Sequence, residues 1–218
     1  MIENIGKLSM QNKLAILILA AGASSRMGES KQLLPWKNTT LLGNAIEQAL
    51  GLTETDVFVV LGSDSERIKD SIKKYPVHVI NNDNWQTGMG SSISLGVEVI
   101  KNLEVYSKIL IHLADQPFVT TKHLKSICNL SFKHENKIIA SNYQNKPGVP
   151  IVFSAEFFDV FAALKGETGA KKVLRKLEGE VLLLNTIKNL KDVDTKKTYN
   201  QLIHSVYVDS EEKKDKKS

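Results

Sequence analysis

The stretch Leu14–Pro35, LAILILAAGASSRMGESKQLLP, limits the possible folds of this chain more than any other. Its apolar run, Leu14 to Ala20, has the length of a strand buried on both faces and is too short for most helices. The run breaks into Ala21, Gly22, Ala23, Ser24 and Ser25, small residues that let a backbone approach a ligand and leave its N–H groups uncovered. Arg26 and Lys31 follow within nine positions of Gly22, placing two cations beside a loop of donors, an arrangement suited to a polyphosphate. Without a relative to compare, the same stretch reads equally as a buried strand, a tight turn and solvated charges.

Standard phosphate-binding patterns fail on spacing. A Walker A loop has four residues between its glycines and then Lys, whereas Gly22 and Gly28 are separated by five and followed by Glu29. Ser24 stands where a G-x-G-x-x-G dinucleotide loop needs Gly, and Arg26 stands where a nucleophile elbow needs Gly. What fits is LAAGASSRMGESKQLLP, which resembles the L-A-A-G-x-S-x-R-M-G-x-x-K-x-L-L-P signature of the MobA-like nucleotidyltransferases. Within that family the chain most resembles the molybdenum cofactor cytidylyltransferases and their xanthine-dehydrogenase-accessory relatives. The resemblance implies a single-domain, three-layer α/β/α fold, Rossmann-like with a mostly parallel sheet. It also implies that Arg26 and Lys31 act on the phosphates and that Leu19, Ala20, Ala21, Gly22, Ala23 and Ser24 contact the nucleotide.

The residues outside this stretch agree with an α/β reading. Helical spacing over Leu41–Leu50 precedes a strand at Asp56–Gly62; a helix over Ser65–Tyr75, stopped by Pro76, precedes a short strand at Val77–Ile80. Turn formers in Asn81–Gly96 give way to helical spacing through Ile93, Val97 and Ile100. Lys108–Leu113 is a buried strand, and Thr120 and Thr121 open a helix to Leu130. Strands at 137–142 and 150–153 flank a Pro-Gly loop; helices over Glu156–Leu164 and Ala170–Leu177, a strand near Val181–Asn185 and a helix from Thr195 to about Ser205 complete the pattern. Such alternation predicts a parallel sheet with ligands beyond the carboxyl ends of its strands. The expected divisions are a polar leader over 1–13, a nucleotidyltransferase domain over 14–208 and a disordered charged tail over 209–218, whose four acids and four lysines cancel.

A net charge of +5 raises the question of nucleic acid, but the cations are scattered and no aromatic residues interleave with them. No nucleic-acid or membrane partner is expected. The lone Cys128 excludes an internal disulfide and a Cys-based zinc cluster, and a cytoplasmic setting is the simple inference. Lys13, the apolar run and Ala21-Gly22-Ala23 imitate the end of a secretory signal; cleavage there would remove the first strand and half the phosphate loop, so the run is read as core.

Three further segments carry candidate chemistry. Asp115 follows a buried strand directly, where a carboxylate serves either a hard cation or a turn before Pro117. LADQP resembles the family's L-A-D-x-P motif, which implies that Asp115 is a catalytic Mg²⁺ ligand. Asp192-Val193-Asp194-Thr195 resembles the family's D-I-D-T segment, which makes Asp194 the second metal ligand, although Asp194 or Thr195 is also a natural helix cap. Lys196-Lys197 departs from the Pro-Glu that usually follows. Asn82, Trp85, Gly88, Met89 and Ser92 resemble the N-x-x-W-x-x-G-M-x-x-S pattern of the cytidylyltransferase branch, and Gly88, Met89, Gly90 and Ser92 are candidates for the base and ribose; as bare sequence they equally open a helix. Gly166-Glu167-Thr168-Gly169-Ala170-Lys171 resembles G-D-x-G-A-R, which makes Gly169 and Lys171 candidates for binding an anionic acceptor or, equally, a plain helix cap. Val149 stands where the family has His in G-H-P. His112 reads as a satisfied core histidine, and Met27 and Trp36 as packing residues.

The expected reaction is Mg²⁺-dependent transfer of CMP from CTP to the phosphate of molybdopterin cofactor, with a molybdoenzyme as possible client. A sugar phosphate or other phosphorylated acceptor, or noncatalytic delivery of the cofactor, are the alternatives.

Overall fold

A computed structural model describes residues 13–185 and 191–215. In chain order it contains β1 (Leu14–Leu19), β2 (Pro35–Trp36), β3 (Thr39–Thr40), α1 (Leu41–Leu50), β4 (Thr55–Leu61), α2 (Ser65–Ile72), β5 (His78–Asn81) and α3 (Met89–Asn102). It continues with β6 (Lys108–Leu113), α4 (Thr121–Lys133), β7 (Ile138–Tyr143), β8 (Lys146–Ser154), α5 (Phe158–Ala162), α6 (Ala170–Lys176), β9 (Val181–Leu184) and α7 (Lys196–Asp215). Seven strands form one sheet in the order β5, β4, β1, β6, β8, β7, β9, and β2 pairs with β3 as a small separate ribbon. Only β8 runs against its sheet neighbours.

The apolar run of β1 is buried along its whole length because it lies between β4 and β6 with helices on both sides. Ala15, Leu17 and Leu19 point to one face, where Ile93, Val97 and Ile100 of α3 pack with Phe158 and Phe161 of α5 and Val173 of α6. Ile16, Ile18 and Ala20 point to the other, against Leu42, Ala45 and Ile46 of α1, Ile68 of α2 and Ile127 of α4. This is the expected three-layer α/β/α arrangement. The axis of α3 comes close to β1 at Gly96, where an added Cβ would lie 2.6 Å from Leu17. Thr40 and Thr120 cap α1 and α4 by accepting from the amides of Gly43 and His123, each cap being worth about 1 kcal/mol.

Some local expectations change. Pro147 and Gly148 lie inside β8, and the hairpin turn falls instead on Gln144 and Asn145, at φ 53° and 66°, as a two-residue hairpin with two left-handed positions requires. The missing Cβ of Gly148 leaves room for the Tyr143 ring, which an added Cβ would approach to 2.6 Å. Helix α2 stops at Ile72, short of Tyr75. Helix α7 runs to Asp215, so the tail expected to be disordered from 209 is helical as far as that residue; 216–218 lie outside the described residues. The expected leader lies outside them too, apart from Lys13, whose carbonyl accepts from Ser107 and whose ammonium sits 2.8 Å from Asp56. Among the described residues no helix is long and apolar enough to cross a membrane.

A third apolar cluster decides where the C-terminal segment goes. Val193 is fully buried with Met27, Leu34, Trp36 and Leu41, and Tyr199, Leu202 and Ile203 of α7 pack on the same group. Trp36 meets Phe118 edge to face at 5.5 Å between ring centres. Met27 and Trp36 are therefore packing residues, and the segment they hold returns across the carboxyl ends of β1 and β6.

Candidate active site

Chain leaving β1 stays tied to β4 for two residues, through Ala20 N–H to the Val60 carbonyl (2.9 Å) and Ser63 N–H to the Ala21 carbonyl (3.0 Å). It then folds over the side chain of Gln32, which is buried and donates from Nε2 to the carbonyls of Ala20 (2.8 Å) and Gly22 (2.9 Å). Ser24, at φ 55°, donates from its hydroxyl to Gln32 Oε1 (3.3 Å), and the same hydroxyl oxygen accepts the Lys31 amide (3.1 Å). That contact fixes where the Lys31 side chain begins. Its ammonium ends 2.5 Å from Asp115 Oδ2 and 3.4 Å from Asp194 Oδ1.

Asp115 comes to this point because β6 ends beside β1. Its second oxygen, Oδ1, is buried without a hydrogen-bond partner. The Val193 amide donates to the Asp115 carbonyl at 2.9 Å, which aligns the 192–194 segment with the end of β6. Asp194 then reaches Lys31, while Asp192 accepts from Gln116 Nε2 at 2.9 Å. Gln116 Nε2 also lies 2.9 Å from the Tyr143 hydroxyl and 3.2 Å from the Val149 carbonyl, which links the carboxylates to the β7–β8 hairpin.

The electrostatics follow from this crowding. Burial pulls the Lys31 pKa down, but the charge of Asp115 and its hydrogen bond, with Asp194 behind them, outweigh burial and leave it raised. The Asp192 carboxyl is pushed up by burial first and then by Asp115 and Asp194. Lys31 is thus a fixed cation among acids that repel one another. His112 is a core residue as expected, yet neither ring nitrogen has a partner, and burial drives its pKa down to about 3. It is neutral and inert.

A cavity of about 310 Å³ opens beside Lys31 and Asp115. One wall is the loop Leu19, Ala20, Ala21, Gly22 and Ala23; the opposite wall is Gly88, Met89 and Ser92. Asn82 shapes the second wall, donating from its buried amide to the hydroxyls of Ser91 and Ser92, each at 2.9 Å. Gly88 is required there: its φ is 114°, and an added Cβ would stand 2.5 Å from the Gly166 backbone. Gly90 donates to the Gly166 carbonyl at 2.9 Å. The 166–169 loop therefore backs the 88–90 loop and contributes Glu167 to the cavity, while an added Cβ on Gly169 would meet Met89 Sδ at 3.1 Å.

Ten of the expected residues thus line one cavity, with Asp194 touching Lys31 at its edge. Ser24 and Gly90 support the walls from outside the lining. Arg26 and Lys171 are exposed and do not line it. Leu113 and Ala114 of the LADQP segment also line the cavity, as do Gln32 and Gln86, which match no motif position. A buried glutamine between Lys31 and two leucines is the one signal, an odd polar residue in KQLLP, that would have drawn attention to Gln32.

A family model described as the MobA-like NTP transferase domain matches residues 16–181. The chain belongs to that family. It is 28% identical over 198 residues to the purine catabolism protein PucB of Bacillus subtilis, covering 85% of this chain and 94% of the relative. Nicotine blue oxidoreductase of Paenarthrobacter nicotinovorans is 29% identical over 73% of this chain and 80% of its own. The molybdenum cofactor cytidylyltransferase of Escherichia coli is 28% identical over 63% of this chain and 68% of its own. Rv0371c of Mycobacterium tuberculosis superposes with a TM-score of 0.78 at 25% identity, covering 89% of this chain and 99% of that one, and a second structure of it, in complex with manganese, gives 0.73 at 23%, covering 88% and 98%.

Proposed function

We propose that the chain transfers CMP from CTP to the phosphate of molybdopterin cofactor, releasing pyrophosphate, in the cytoplasm. The observation that carries this reading is the meeting of Lys31, Asp115 and Asp194 at one edge of a cavity whose walls are a small-residue loop and the Gly88–Ser92 loop. Likeness to the E. coli cytidylyltransferase supports the nucleotide and the acceptor.

A phosphate monoester acceptor is already largely anionic at neutral pH, its second pKa being about 6, so no general base is required. One acceptor oxygen forms a bond to the α-phosphorus of CTP as the α–β bridging bond breaks and pyrophosphate leaves. The obstacle is repulsion between anions, and Lys31, kept charged by two carboxylates, offsets part of it. The donor set also suits a divalent cation: Asp115 Oδ1 is a buried, unpartnered carboxylate oxygen, and Asp115 and Asp194 already share one positive charge. Asp115 and Asp194 would hold Mg²⁺, which when bound supplies charge neutralisation to the phosphates. The manganese complex of Rv0371c is in keeping with such a site.

The test is pyrophosphate release with CTP, GTP and ATP in Mg²⁺ or Mn²⁺, with molybdopterin or sugar phosphates as acceptor and the adduct read by mass spectrometry. Two mismatched buried polar groups at about 1–3 kcal/mol each predict a CTP preference over GTP of about a hundredfold in kcat/KM. A guanylylated product would overturn the cytidine assignment, a nucleotidyl sugar the acceptor, and tight cofactor binding without turnover the catalysis itself.

A further inference from the structure

The side chain of Gln32 lies beneath the loop that follows β1 and is only 2% exposed. Its single NH₂ group binds two carbonyls of that loop, Ala20 and Gly22, at 2.8 and 2.9 Å. In a trans peptide the carbonyl of one residue and the N–H of the next point in opposite directions. Drawing those two carbonyls onto Gln32 therefore turns the N–H groups of Ala21 and Ala23 away from it. Among the described residues neither N–H has a protein acceptor, and both residues line the cavity.

We infer that Gln32 is a positioning residue for phosphate recognition, setting the two peptide planes so that Ala21 and Ala23 present their N–H groups to the anionic phosphates of the ligand. This rests on reading the cavity as a nucleoside triphosphate site. The third contact of Gln32 extends the effect to the cation: Ser24 binds Gln32 Oε1 and accepts the Lys31 amide, so one side chain sets the loop donors and the start of Lys31 together. An apolar side chain of the same size would fill the space and leave both carbonyls free to turn. A carboxylate would repel them.

Inorganic tripolyphosphate with Mg²⁺ is the probe, because it carries no base or sugar. Calorimetry is expected to show Gln32→Met binding it about tenfold or more weakly than wild type, the loss expected for contacts to a charged group, with Gln32→Glu weaker still. KM for every nucleoside triphosphate is expected to rise by a similar factor, with kcat changed less. In the wild-type chain, tripolyphosphate is expected to shift the amide resonances of Ala21 and Ala23 more than that of Gly22, a readout that does not depend on any variant folding. Unchanged affinity in folded Gln32→Met, or wild-type shifts that bypass Ala21 and Ala23, would overturn the inference while leaving the nucleotide site intact. A wild-type chain that ignores tripolyphosphate and every nucleoside triphosphate overturns the nucleotide reading, and this inference with it.

Discussion

The two sides of the cavity are built in opposite ways. On the small-residue-loop side, Leu19 to Gln32 is one continuous stretch whose geometry is closed by its own short-range contacts, Gln32 to Ala20 and Gly22 and Ser24 to Lys31. On the acidic side, Asp115 and Asp194 reach Lys31 across 84 and 163 positions of sequence. The first is specified by neighbours along the chain. The second exists because the core delivers β6 beside β1 and because Val193 is anchored among Met27, Leu34, Trp36 and Leu41. Burying that one side chain contributes about 1.5–3 kcal/mol, enough to hold a segment whose two carboxylates gain little from Asp115 nearby.

The sharpest way to break this comparison is Asp115→Asn, which keeps the shape and removes the charge. Turnover is expected to fall by about a hundredfold or more, the range for lost transition-state electrostatics, with circular dichroism unchanged; near wild-type turnover would show that the acidic side does no chemistry. Lys31→Ala comes next, since it touches both sides. It is expected to lower kcat/KM by a similar factor for every nucleotide, because a phosphate contact carries no base information, and to exceed the effect of Arg26→Ala, whose side chain is exposed outside the cavity. A change in base preference in steady-state kinetics would count against it.

A smaller effect separates the two acids of the returning segment. Asp194→Asn is expected to raise the Mg²⁺ requirement about tenfold, one charge-assisted contact, and Asp192→Asn to leave it nearly unchanged. Because the Asp192 carboxyl is raised in the folded chain, the fold favours its protonated form, and stability drains away as pH rises through that value. Asp192→Asn is therefore expected to raise the melting temperature at pH 7, a gain that vanishes in acid where Asp192 is already protonated; a Mg²⁺ defect confined to Asp192→Asn would reverse the assignment. The smallest effect belongs to Val193→Ala: a loss of about 1–2 kcal/mol in denaturant unfolding, with activity recovering at high Mg²⁺. No change in the Mg²⁺ titration would show that anchoring and metal affinity are independent.

Much of the fold was legible because its signals are local. The boundaries of α1 and β6 follow from apolar periodicity, and the alternation of strands and helices is sufficient for a three-layer sheet. The β7–β8 turn was misplaced because Pro147-Gly148 is ordinarily a loop signal, and only the Tyr143 ring above Gly148 shows why an antiparallel strand tolerates it. The 166–169 segment reads equally as an acceptor site and as a helix cap; in the structure Gly169 is the N-cap of α6, while the loop backbone lies against Gly88 and Gly90 and brings Glu167 into the cavity.

By itself, then, the sequence determined the buried strand, the small-residue loop and the motifs that mark Lys31, Asp115 and Asp194, because each depends on residue type and spacing within a few positions. Tertiary structure alone decided that Glu167 would face the cavity, and that Asp194 and not Asp192 would touch Lys31. Those outcomes depend on which buried polar atoms find partners and which side chain fills a shared apolar cluster. Both are properties of surfaces meeting across the fold, and no spacing within one segment encodes them.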